Sequence, residues 1–180
     1  MDLLDLINEK RFLGQEYLTW LWFISETSPE IDIDGNTVQL AFDYNMQLEC
    51  GQGEACKRIT CKGNTAPGAN EKTEAKMAIG LGKKIEQAKI LLSINEAEFW
   101  LTSNGRLLSL TGVKMPRVVY TDDGGDEALE REGMTLERIS LITFLTRTMD
   151  SIFRKFLMLR TDQKAWVSEV KKIREWAAGE

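Results

Sequence analysis

The spacing of hydrophobic and polar positions predicts a helix near the N-terminus. Between residues 12 and 24 the sequence reads FLGQEYLTWLWFI, and large apolar side chains recur three and four positions apart. Neighbouring aromatic residues widen this apolar face almost all round the helix, so it is either buried on several sides or offers aromatic rings to a partner. A core helix is the simpler interpretation. The alternative interface, with a protein partner or a second subunit, would use Tyr17, Trp20, Trp22 and Phe23.

Alternating apolar and polar residues predict antiparallel strands in the next part of the chain. Ile31–Ile33 and Val38–Phe42 flank Asp34-Gly35-Asn36, a turn sequence typical of a tight hairpin. This turn also resembles the start of a calcium loop, but its glycine comes two positions early and no glutamate follows at the closing position. We therefore expect an ordinary turn. Further strands are expected within residues 45–62, 84–95 and 98–110, and Met115-Pro116 is expected to end the sheet.

Three further helices are predicted, one inside the sheet region and two after it. Residues 70–81 form the inserted helix, with Gly82 near its end. Residues 120–133 are acidic and contain glycine, which indicates an exposed linker. Thr135 is expected to cap a long helix, and a second helix is expected from 162 to 178. The apolar stripe of the long helix is Leu136, Ile139, Ile142, Leu145, Met149, Ile152, Phe153 and Phe156.

Together these elements predict an α+β fold in a single domain over residues 1–180. An N-terminal aromatic helix (1–26) precedes an antiparallel β-sheet region (30–118) with one inserted helix. An acidic linker (119–133) then leads to a C-terminal helical pair (134–178) packed on the sheet.

Composition is that of an ordinary globular domain, with 43% hydrophobic and 28% charged residues. The longest apolar-rich stretch, Tyr17–Ile24, is much shorter than the roughly 20 residues of a membrane span. The first residues are acidic, whereas a secretory signal begins with basic ones. We therefore expect a cytoplasmic protein that does not contact a membrane.

Candidate metal and catalytic chemistry is sparse. Cys50, Cys56 and Cys61 are spaced C-x5-C-x4-C, and the chain has no fourth cysteine and no histidine, so a zinc site would need a carboxylate such as Glu49 or Glu54. Without histidine the commonest general base near neutral pH is missing. Gly80-Leu81-Gly82-Lys83-Lys84 lacks the first glycine and the final serine or threonine of a phosphate-binding loop. We expect reduced thiols, no cofactor and no metal, and a protein that is not an enzyme.

Charge is distributed unevenly along the chain. Residues 57–89 carry eight basic and three acidic residues, a net of +5 within a chain of net charge −5. Such a segment can attract a polyanion locally, unless nearby carboxylates balance it in the folded protein. Lysine dominates the segment, which suits contact with phosphates better than recognition of bases. The candidate nucleic-acid-binding residues are Lys57, Arg58, Lys62, Lys83 and Lys84.

One string of residues carries a family resemblance. Residues 12–23, FLGQEYLTWLWF, resemble a segment of certain bacterial and phage proteins labelled as similar to the recombination-associated RdgC family. Gly82-Lys83-Lys84, Phe99-Trp100-Leu101 and residues 150–157 (DSIFRKFL) are similar to the same group. The resemblance implies cytoplasmic, non-enzymatic binders of duplex DNA that form ring-like dimers.

Two functions are therefore expected as alternatives. The first is a DNA-associated binding protein of recombination or phage DNA metabolism, which contacts duplex phosphates without base specificity. The second is a protein-interaction module, a phage-type or host inhibitor or adaptor, acting through its aromatic helix or its acidic N-terminal third. A homo-oligomer is expected because the aromatic helix has more apolar surface than one face can bury.

Overall fold

A computed structural model describes residues 3–49, 58–61, 69–95, 97–118 and 127–179. It confirms the predicted α+β fold. A long N-terminal helix leads into an antiparallel sheet, one helix is inserted within the sheet, and two helices follow it. The elements are α1 (Leu3–Thr27), β1 (Glu30–Ile33), β2 (Asn36–Glu49), β3 (Arg58–Cys61), α2 (Ala69–Gly80), β4 (Lys84–Ile94), β5 (Ala97–Asn104), β6 (Ser109–Lys114), α3 (Glu127–Thr161) and α4 (Gln163–Ala178).

The sheet is a six-stranded antiparallel sheet in the order β1-β2-β4-β5-β6, with β3 paired to the second half of β2. The predicted hairpin between β1 and β2 is confirmed. Asp34 and Gly35 at its tip both have positive φ, at 52° and 81°, which a tight turn of this hand requires. The Asp32 carboxylate accepts a hydrogen bond of 3.3 Å from the Gly35 N–H, so it stabilises the turn.

One face of the sheet forms the core, because alternate residues of the central strands point to the same side. On β4 the buried positions include Ile90, Leu92 and Ile94. The other face carries polar residues, with the Lys89 ammonium 4.5 Å above the centre of the Trp100 ring. Helix α1 packs on the apolar face and contacts β4 and β2. The fold therefore has a helical layer on one side of the sheet.

Helices α3 and α4 complete this layer. Phe156 of α3 is fully buried, and its ring centre lies 5.7 Å from that of Trp166 in α4. Asp162 caps α4 by accepting hydrogen bonds of 3.0 Å from the backbone N–H groups of Lys164 and Ala165. The predicted helical pair and the predicted burial of Phe156 are confirmed, whereas Phe153, also predicted to be buried, is half-buried. None of the described helices is both long and apolar enough to cross a membrane.

The start of α3 differs from the sequence prediction. The helix begins at Glu127, so the linker assignment is wrong for residues 127–133, while residues 119–126 lie outside the described part of the chain. Thr135 is an internal helical residue and not a cap. Its hydroxyl donates a 2.7 Å hydrogen bond to the carbonyl of Arg131, one turn earlier. Glutamates and alanine in this stretch are good helix formers, which explains the earlier start.

Candidate functional site

The aromatic residues of α1 are buried within the chain itself. Trp22 is fully buried, and Tyr17, Trp20 and Phe23 are each at most 6% exposed. Their rings pack against the C-terminal helices, as in the edge-to-face contact between Trp22 and Trp176 at 5.0 Å. The interpretation of a core helix is therefore confirmed, and the alternative, in which these four residues offer an exposed partner interface, is wrong. Helices α3 and α4 cover the side of α1 that the sheet leaves open.

The basic segment does not form a continuous cationic face among the described residues. Arg58 donates from two nitrogens to a single carboxylate oxygen of Glu86, the shorter bond being 2.9 Å. Lys84 lies 3.8 Å from a carboxylate oxygen of Glu16 in α1. Farther along the segment, Lys76 pairs with Glu26 at 2.5 Å and Lys89 with Asp43 at 2.6 Å. Carboxylates from the acidic N-terminal third thus cancel much of the segment's field.

The structure describes three of the five residues predicted to bind nucleic acid: Arg58, Lys83 and Lys84. Lys57 and Lys62 lie outside the described residues. Arg58 and Lys84 occupy strands on opposite sides of β2, where both are in register with Glu49. A carboxylate-bearing residue therefore stands between these two cations. Lys83 and Lys84 follow the end of α2, where Gly82 has a φ of 87° and confirms the predicted helix stop.

A cleft brings Lys83 and Lys84 together with a cation that the sequence did not indicate. This cleft of about 290 Å³ lies between α1, the end of α2 and α4, and Arg174 of α4 lines it. At its side Arg160 donates a 2.7 Å hydrogen bond to Glu16 and lies over the Trp166 ring at 5.1 Å. The lining residues are Glu16, Thr19, Ile79, Gly82, Lys83, Lys84, Trp166, Val170, Ile173 and Arg174. Glu16 is the one carboxylate among them.

The first half of α3 is only slightly buried. No side chain from Ala128 to Phe144 is fully buried, and the first buried residue of the helix is Leu145. Leu136, Ile139 and Ile142, which the apolar stripe placed toward the core, are 60%, 54% and 47% exposed. The stripe points to the core only from Leu145 onward, so the prediction is wrong for these three residues.

These exposed positions form one continuous apolar surface. We call it the α3 face; its members are Thr135, Leu136, Ile139, Ile142, Thr143 and Thr146, all exposed. The three threonine hydroxyls donate hydrogen bonds of 2.7–2.8 Å to backbone carbonyls one turn earlier in their own helix. Because those hydroxyls are satisfied by the backbone, the methyl groups are left for the outer surface.

The cysteine cluster is only partly within the described chain. Cys61 on β3 is half-buried, whereas Cys50 and Cys56 lie outside the described residues. The described ranges contain no group of three or more cysteine, aspartate and glutamate residues that could hold a metal ion. The expectation of reduced, metal-free thiols stays a prediction.

Comparisons with protein families, with curated proteins and with solved structures find no match to this chain. The resemblance to the RdgC family therefore stays a prediction.

Proposed function

We propose that this protein is a protein-interaction module that acts through the α3 face, and that a second copy of the chain occupies this face. The observation that carries the proposal is the helical stretch from Ala128 to Phe144, which has no fully buried side chain but exposes large apolar ones. At 1.5 Å per residue this stretch is about 25 Å long. Helices are stabilised mainly by packing of an apolar face. We therefore expect another protein surface to cover the exposed apolar side chains of this stretch.

The spacing along the α3 face suits another helix. Thr135, Ile139, Ile142 and Thr146 follow one another at intervals of four, three and four residues. This is the spacing of the inward positions of a coiled coil, which recur every 3.5 residues on average. A helix from a partner could therefore insert its side chains between these four residues.

The arrangement of these positions is also self-complementary. They lie symmetrically about the midpoint between residues 140 and 141. A two-fold axis through this midpoint would bring Ile139 of one copy against Ile142 of the other, and Thr135 against Thr146. Both contacts would then occur twice, as closed two-fold symmetry requires.

Charge favours an antiparallel orientation of the two helices. Glu132 lies one turn before Leu136, in line with the α3 face. In a parallel pair the two Glu132 carboxylates would face each other and repel. In the antiparallel pair Glu132 is within side-chain reach of Arg147 of the second copy, so the charges attract.

The test is the mass in solution of two variants that each carry one new charge. Ile139→Lys places an ammonium group at the centre of the α3 face, and we expect it to abolish association. The matched control is Val167→Lys on α4, where the valine is 64% exposed and outside the face. Light scattering should show monomers for Ile139→Lys and dimers for the control. Dimers of equal stability in both variants would overturn the proposal.

Contact with phosphates of duplex DNA is a second candidate function, supported by the cleft that Lys83, Lys84 and Arg174 line. Three cations converge there around one carboxylate, Glu16, which already accepts a hydrogen bond from Arg160. Three phosphate contacts would make log affinity fall with log salt with a slope of about −3. Such binding would be insensitive to base sequence, because no base edge is read.

Anisotropy of labelled random duplex, measured from low to physiological salt, tests this candidate. Lys83→Glu with Lys84→Glu should weaken binding and reduce the slope by about two. The control carries the same charge change at two exposed positions far along the chain, Lys114→Glu with Arg117→Glu. An equal loss in both double variants would show a general charge effect and reject the cleft as the site.

A further inference from the structure

A second cavity, which shares no lining residue with the cleft, is not used by the proposed function. It has a volume of about 280 Å³ and is formed by α1, α3 and the end of the β5–β6 hairpin. Its lining is mainly apolar and aromatic, with two hydroxyls, those of Tyr17 and Ser103, and one carboxylate, that of Asp150. The lining residues are Tyr17, Ser103, Leu108, Leu110, Met149, Asp150 and Phe153.

The phenol of Tyr17 makes this cavity unusual. Its hydroxyl is buried and has no hydrogen-bond partner among the described residues. Burial, and after it the negative charge of Asp150, raise the pKa of this hydroxyl well above its usual value. The group therefore stays protonated and neutral at physiological pH. A buried hydroxyl without a partner is unfavourable, so a ligand that supplied a hydrogen-bond partner would gain affinity from it.

A strained residue forms part of the wall. Leu108 has a φ of 49°, a left-handed conformation that is rare for a bulky side chain. The turn before it is held by Asn104, whose side-chain oxygen accepts hydrogen bonds from the N–H groups of Arg106 and Leu107. Local strain of this kind is concentrated at binding sites in proteins. The Leu108 side chain is 48% exposed, so its complete burial is not the reason for the strained backbone conformation.

The carboxylate of Asp150 sets the charge of the preferred ligand. Asp150 is exposed, and it forms no ion pair with the described part of the chain. It shares the cavity with two aromatic rings, Tyr17 and Phe153, whose centres are 5.0 Å apart in an edge-to-face arrangement. A carboxylate beside aromatic rings attracts a cation, since both the negative charge and the ring faces favour it.

We propose that this cavity binds an ammonium group carried on a short apolar stem. The stem would lie against Leu110 and Met149 while the ammonium group approaches Asp150. A cavity of about 280 Å³ is at the small end of ligand sites, so it suits a stem of about four to six carbon atoms. The same chemistry occurs in a free alkylamine and in the lysine side chain of another protein.

An NMR titration of the full chain with hexylammonium chloride tests the proposal. We expect shifts of the backbone amides of Ser103, Leu110 and Phe153, and an affinity about tenfold higher than that of hexanol, which has the stem without the charge. Asp150→Asn should remove this tenfold preference. The control Glu137→Gln changes an exposed carboxylate on the same helix, outside the cavity, and should leave the preference intact.

A parallel titration with a capped Leu-Lys-Leu peptide distinguishes the two sources of the ammonium group. Tighter binding of the peptide would identify a lysine side chain of a protein as the occupant, and tighter binding of hexylammonium a small amine. Equal binding of hexanol and hexylammonium, or a preference that survives Asp150→Asn, would overturn the proposal. So would the absence of any shift with both amines.

Discussion

Gly14 of α1 and Gly105 of the β5–β6 turn lie in direct backbone contact. A Cβ atom added to Gly105 would stand 2.9 Å from the carbonyl oxygen of Gly14, and one added to Gly14 would overlap the carbonyl oxygen of Gly105. Neither site can take a side chain without movement of main-chain atoms. The Gly105 N–H also donates a 2.7 Å hydrogen bond to the carbonyl of Glu86, which fixes the turn on the sheet. This contact sets how closely α1 crosses the end of the sheet.

Gly14→Ala should therefore destabilise the protein by about 1–3 kcal/mol, the usual cost of overpacking. The direction of this change in stability is informative, because alanine inside a helix is otherwise about 1 kcal/mol more stabilising than glycine. Gly80→Ala in α2 is the matched control, since the nearest atoms to its added Cβ are 4.0 Å away. Urea unfolding should show a loss for the first variant and none for the second. Equal stabilisation by both would contradict the close contact.

Phe156→Ala should lower the free energy of unfolding by about 3–5 kcal/mol, because it leaves a large cavity. Phe156 is fully buried and its ring meets those of Tyr17, Trp20 and Trp166. Met158→Ala, two residues later, is the control, because Met158 is 74% exposed. Thermal and urea unfolding report both changes. An unchanged midpoint for Phe156→Ala would refute the assignment of α3 to the core.

Tyr17→Phe should leave the unfolding free energy unchanged or raise it by about 1–3 kcal/mol, because it removes a buried hydroxyl that lacks a partner. The variant also changes the pH dependence. The pKa of Tyr17 is higher in the folded than in the unfolded chain, so the folded state holds this proton more tightly. The resulting contribution to the free energy of unfolding is present below about pH 10 and is lost as the pH rises above that value. The free energy of unfolding, measured from pH 8 to 11, should therefore fall less steeply with rising pH in Tyr17→Phe than in the unmodified protein. Parallel curves for both proteins would contradict this.

Exchange of two charges tests the orientation of the proposed dimer. Arg147→Glu should weaken association by placing two carboxylates together, and adding Glu132→Arg should restore it. Glu132 and Arg147 are both on the surface of α3, so folding is expected to be unaffected. Dissociation constants of the single and double variants give the coupling. A parallel dimer would instead be insensitive to Arg147→Glu.

Local patterns in the sequence were sufficient for the fold. The hairpin at Asp34-Gly35 and the helix stop at Gly82 depend on backbone conformations that few residues adopt, and these positions were predicted correctly. The apolar stripe of α3 was less informative. Its spacing is the same from Leu136 to Phe156, yet only the part from Leu145 onward is buried, because periodicity does not show how far a neighbouring layer extends.

The candidate sites depended on contacts that no local pattern encodes. The pairing of Lys84 with Glu16 joins residues on different elements, 68 positions apart in the sequence, so no local pattern predicts it. Arg174 enters the same cleft from the far end of the chain. The sequence identified Tyr17 only as an aromatic residue of α1, and it did not show that the hydroxyl is buried without a partner among the described residues. Each of these follows from packing in three dimensions.

Sedimentation equilibrium of the unmodified chain tests the central claim most directly. If the α3 face is covered by a second copy, the mass at micromolar concentration will be about 41 kDa, twice the chain mass of 20.5 kDa, and will fall toward the monomer on dilution. A mass of 20.5 kDa at every concentration up to about 100 μM would contradict the claim, because an apolar seam of this length should associate well below that concentration.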